Sequence, residues 1–145
     1  MSVTIYIIYN NSASFLGRIG YGIRRLSTTP ETPSACAATD LTHGGAHPHE
    51  KPEWIATKKK IPADIKQVHY DELPPDVKKY VESNRYKYPC IVGKGPDGRF
   101  RMLLIDYEIE EVSDNCNKFL QVLKTKFQQS GLPWDYSSIQ PTSAA

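Results

Sequence analysis

Val3-Thr4-Ile5-Tyr6-Ile7-Ile8-Tyr9 decides the fold. β-Branched and aromatic side chains follow one another there without strict alternation, the pattern of a strand buried on both faces. Such a strand belongs at the centre of a sheet. Asn10-Asn11-Ser12 then supply short polar side chains that accept from the orphan N–H groups of a helix start. Phe15, Leu16, Ile19, Ile23 and Leu26 recur at helical spacing, with Arg18, Arg24 and Arg25 mostly off that face. Gly17, Gly20 and Gly22 form GxxGxG inside the helical pattern, the wrong order and place for a dinucleotide loop. Close packing of helix on sheet explains them.

Working outward, Ser, Thr, Pro and Gly dominate from residue 27 and predict an inserted loop over about 28–51. Pro52 suits the first position of a short helix carrying Trp54, Ile55 and Lys58. Ile65-Lys-Gln-Val-His69-Tyr70 is a half-polar strand, fit for a sheet edge. A helix from Leu73-Pro-Pro follows, with Val77, Tyr80 and Val81 on one side. Tyr88-Pro89 leads into Cys90-Ile-Val92, and the Lys94-Gly-Pro-Asp-Gly98 turn returns the chain through Arg99–Ile105 as a hairpin. Ser113 or Asp114 would cap the last helix, whose face is Cys116, Phe119, Leu120, Leu123 and Phe127, stopped near Gly131.

A chain of 145 residues is one domain by default, here residues 1–129 with a polar tail over 130–145 that adds little to the core. Net charge is only +2, from 18 basic and 16 acidic residues well mixed, so no basic face points to nucleic acid. No stretch reaches the roughly 18 apolar residues of a membrane span. Cys36, Cys90 and Cys116 are too few and too far apart for a disulfide framework. The chain reads as soluble and cytoplasmic, and as leaving room for a homodimer.

The element order is strand, helix, loop with a short helix, strand, helix, strand, strand, helix. This is the thioredoxin-fold order, and right-handed crossovers put the apolar first strand inside and the half-polar second strand at the edge. Over most of residues 3–127 the chain resembles a family of small thioredoxin-like proteins. The marks are Tyr9-Asn10, Cys36…Leu41-Thr42-His43-Gly44, Trp54, His69-Tyr70-Asp71-Glu72 and Tyr88-Pro89. The resemblance implies an α/β sandwich around a mixed sheet, with Pro89 in cis before the third strand. The family commonly carries Cys-x-x-Cys before Leu-Thr-His-Gly, and here the second cysteine is Thr39. One cysteine cannot close the intramolecular disulfide of a dithiol cycle. The first helix start, Asn10-Asn11-Ser12-Ala13-Ser14, also lacks the thiols that thioredoxins carry there.

Reactive side chains concentrate in residues 36–49. His43, between Thr42 and Gly44-Gly45, is the candidate acid–base group, because imidazole titrates near working pH. Asp40 would orient it or form a local Asx turn. Cys36 is a candidate nucleophile with His43 as base, or a buried thiol. Asn10, Ser12, Ser14, Thr42, His69, Tyr88 and Pro89 would form the polar wall of a small-molecule pocket. Cys36, His43, His47 and His49 offer a zinc or copper ligand set, though their spacing matches no established site. The leading reading is a cofactor-independent, non-redox enzyme of lyase, isomerase or cyclase type. The alternatives are a metal- or partner-binding protein and, more weakly, a single-cysteine protein working with glutathione.

Overall fold

A computed structural model describes residues 2–10, 36–44 and 49–136. Residues 4–9 form β1 (Thr4–Tyr9), followed by α1 (Ala37–His43), α2 (Pro52–Lys58), β2 (Asp64–His69), a 3-10 turn (Tyr70–Glu72) and α3 (Pro75–Ser83). The hairpin β3 (Cys90–Lys94) and β4 (Phe100–Leu104) comes next, then α4 (Asp106–Val112) and α5 (Cys116–Gln129). The helix expected over Phe15–Leu26 lies outside the described residues, as do Ser12, Ser14 and His47.

The four strands make one mixed sheet in the order β2-β1-β3-β4. β1 runs parallel to β2 and antiparallel to β3, which pairs antiparallel with β4. The doubly apolar β1 is therefore inside and the half-polar β2 is an edge, as the side chains require. Ile5, Ile7 and Tyr9 enter one core layer with α1, α2, α4 and α5, whereas Tyr6 and Ile8 enter the other with Val77 and Val81 of α3. The Tyr88–Pro89 peptide bond is cis. Among the described residues no helix is long and apolar enough to cross a membrane.

Three expectations need correction. The stretch 36–44 is not loop: Ala37, Ala38 and Leu41 bury one side of α1, and Gly44 ends it with φ 74°. Alanine's helix propensity and a left-handed glycine stop outweigh the polar residues between. α4 also forms where none was expected, burying Ile109 and Val112 while the Glu108 carboxylate accepts from the Ile105 N–H at 3.0 Å. The cap of α5 is Asn115, whose side chain accepts from the Lys118 N–H at 3.0 Å, rather than Ser113 or Asp114.

The segment past Gln128 also contributes more than its composition suggests. Gly131, at φ 74°, turns the chain so that Leu132 N–H bonds the Phe127 carbonyl at 2.9 Å. Leu132 is then only 4% exposed, and Trp134 packs edge-on against Phe127 with ring centres 5.0 Å apart.

Candidate functional site

The carboxyl ends of the two parallel strands set the site. Tyr9 and His69 are the last residues of β1 and β2, lie in register, and hold their rings 5.2 Å apart. In open α/β sheets this end of the strands borders the ligand crevice. The last turn of α1 reaches the same place from above: the Tyr9 and His43 ring centres are 6.4 Å apart. Tyr88-Pro89 precedes β3, whose Cys90 pairs with Ile8, so it too lies at this end; Tyr88 stacks near Tyr70 at 5.8 Å. Asn10, Thr42, His43, His69, Tyr88 and Pro89 thus lie at one end of the strands, with Tyr88 packed in the α3 layer on the face opposite Tyr9.

A hydrogen-bonded chain runs behind His43. Thr42 Oγ1 lies 2.7 Å from His43 Nδ1, 3.1 Å from the Tyr9 hydroxyl and 3.0 Å from the Ala38 carbonyl, to which it donates. Gln67 Nε2 donates to the Tyr9 hydroxyl and to Glu50, both at 2.7 Å. Gln67 Oε1 accepts from Lys58 Nζ at 3.0 Å and from the Trp54 indole at 3.3 Å. Lys58 also pairs with Glu50 at 2.8 Å. Trp54 and Lys58 are donors only, so the Gln67 amide has a single sensible orientation.

The electrostatics follow from this packing. Burial pushes the Tyr9 phenol up, outweighing its bonds to Thr42 and Gln67, so its O–H remains a donor. Burial opposes ionisation of Glu50, yet the hydrogen bonds from Lys58 and Gln67 and the Lys58 charge hold its carboxyl below 4.5. A depressed carboxyl contributes stability that is complete above its unfolded value and lost as pH falls through the folded one. Glu50→Gln should therefore lower Tm near neutral pH, with the gap from wild type closing as pH drops below 4.5. A gap that is constant in pH would contradict that role.

The remaining candidate residues fall elsewhere. Cys36 is 1% exposed in the apolar layer with Ala38 and Leu41. It precedes α1 while His43 ends it, a rise of about 10 Å along the axis, beyond hydrogen-bond reach for a nucleophile–base pair. The Thr42 hydroxyl lies on His43 Nδ1, and Asp40, three residues earlier on the same helix, lines a cleft together with Gly44. That cleft, about 810 Å³, is bounded by Asp40, Lys51, Lys60, Asp114 and Asn117. Burial and the nearby Asp106 carboxylate push the Cys90 thiol up to about 12. Cys116 is buried against Leu41. His49 is exposed, and among the described residues no three His, Cys, Asp or Glu side chains converge as a metal requires.

The residues that sequence reading passed over are Tyr9, Gln67, Glu50 and Lys58. Tyr9 reads as strand core, and its hydroxyl was the missed signal. Gln67 carries a subtler mark, a polar side chain in register with Ile7 and on the core-facing side of β2. Comparison with protein-family models, curated proteins and solved structures yields no match, so the chemistry of this edge rests on its own geometry.

Proposed function

We propose that the chain is a thioredoxin-like, non-redox enzyme that acts on a small organic molecule by acid–base and proximity catalysis, without a cofactor. His43 is its acid–base group, and Asn10, His69, Tyr88 and Pro89 border the bound molecule. The observation that carries this reading is the meeting of Thr42-His43 with Tyr9 and His69 at the carboxyl edge of the parallel strands. The β2-β1-β3-β4 order, with one parallel pair and two antiparallel pairs, supports the thioredoxin-like part. Burial of Cys36 in the apolar layer, with Thr39 in place of a second cysteine, supports the non-redox part.

A second reading, ligand binding without chemistry, draws on the cleft bounded by Lys51, Lys60 and Asp114. One experiment separates the two. ¹⁵N-labelled protein is screened against small polar organic molecules, and amide shifts locate each binder. Binders should perturb Asn10, His43, His69 and Tyr88, and binding should weaken in a folded His43→Ala variant. Binders that move only Lys51, Asp114 and Asn117 would overturn the enzyme reading in favour of the second.

A further inference from the structure

A histidine that works as an acid–base group must present a defined nitrogen, and the hydrogen bond made by its other nitrogen selects which one. Thr42 Oγ1 has one proton to give and lone pairs to accept with. Its three neighbours are the Ala38 carbonyl at 3.0 Å, the Tyr9 hydroxyl at 3.1 Å and His43 Nδ1 at 2.7 Å.

Proton bookkeeping starts at the far end of the chain. Gln67 Oε1 faces two pure donors, Trp54 and Lys58, so Nε2 is the nitrogen that faces Tyr9. The Tyr9 oxygen accepts from it, and its own proton turns to Thr42. The Ala38 carbonyl can only accept, so the Thr42 proton goes there; otherwise two oxygens would stand 3.0 Å apart with no proton between them. Thr42 Oγ1 is then an acceptor toward His43, and Nδ1 must carry a hydrogen. This assignment satisfies each of the contacts named from Gln67 to His43.

We propose that Thr42 is the positioning residue of the site: its hydroxyl, oriented by Tyr9 and the Ala38 carbonyl, holds His43 as the Nδ1–H tautomer and makes Nε2 the nitrogen that takes up and releases protons. When Nε2 takes a proton the ring becomes imidazolium, and the Nδ1–H bond to Thr42 is kept. Uptake and release therefore require no rearrangement behind the ring, the condition for repeated acid–base cycling. Thr42 is 0% exposed, so water does not compete for its oxygen. The purpose of the tautomer rests on the reading of His43 as an acid–base group; its existence does not.

Long-range ¹H–¹⁵N correlation of the histidine rings tests this at a pH about two units above the ordinary imidazole value of about 6.5. The expected result for His43 is a pyrrole-type Nδ1 and a pyridine-type Nε2. Thr42→Ser should keep that pattern because it keeps the hydroxyl, whereas Thr42→Val should lose it. An Nε2–H pattern in the wild-type protein would overturn the proposal, and no folded variant is needed to obtain it. An unchanged pattern in folded Thr42→Val would overturn the role of Thr42. If ligands ignore this edge while the Nδ1–H pattern holds, the catalytic reading fails and the positioning stands, so the two failures are distinguishable.

Discussion

Trp54→Ala is expected to lower the unfolding free energy by about 3–5 kcal/mol, the usual cost of emptying a buried aromatic site. Trp54 is 0% exposed, meets Phe119 edge-on with ring centres 5.5 Å apart, and closes the layer between α2 and α5. Its indole N–H also donates to Gln67 at 3.3 Å, so the same side chain belongs to the core and to the chain behind His43. For a domain of this size the loss corresponds to roughly 6–20 °C in Tm. Trp54→Phe keeps a ring against Phe119 and gives up the donor, and should cost only about 1–2 kcal/mol. Urea titrations followed by far-UV circular dichroism measure both. A loss below about 1 kcal/mol for Trp54→Ala would mean that α2 is not seated on α5.

How far the sequence could be read depended on which force shaped each element. β1 and the β3–β4 hairpin were legible because burial on both faces and a Gly-Pro-Asp-Gly turn leave few alternatives. The edge position of β2 was legible from its mixed polarity. α1 was not, because seven residues carry barely two turns of periodicity, and its buried face sets two alanines and two threonines around the single Leu41. α4 was hidden for a similar reason: Ile109 and Val112 are its two buried positions, in a run that otherwise reads as acidic surface.

The site divides in the same way. Thr42, His43, His69 and Tyr88-Pro89 stood out by residue type and motif, and the fold brings them to one end of the strands, with Tyr88 on the α3 side. The chain behind them did not stand out, because Tyr9 and Gln67 are 58 positions apart and meet only through the parallel register of β1 and β2. Cys36 drew notice by its chemistry, yet its place before an apolar helix face made it core. A short helix hides this well: the polar residues between buried positions look like a loop.

Leu132→Ala is expected to cost about 2–5 kcal/mol, although composition alone marks the segment as a tail. The reason lies across the sheet at Gly93. A β-carbon built there would stand 2.8 Å from Leu132 Cδ1 and 2.9 Å from Leu103 Cδ1, so the missing side chain is the slot that Leu132 fills. Gly93→Ala should overpack that slot and cost about 1–3 kcal/mol. The two changes relieve each other: shortening Leu132 removes one of the two close contacts, and the new methyl fills part of the cavity. The double variant should therefore be more stable than the sum of the single losses predicts, by about 0.5–3 kcal/mol of coupling. Trp134 lies on Phe127 and the Tyr136 hydroxyl reaches the Lys60 carbonyl, so the segment is held at further points beyond this slot. Urea midpoints for the four proteins of the cycle decide the matter. Strict additivity would mean that Leu132 does not sit over Gly93.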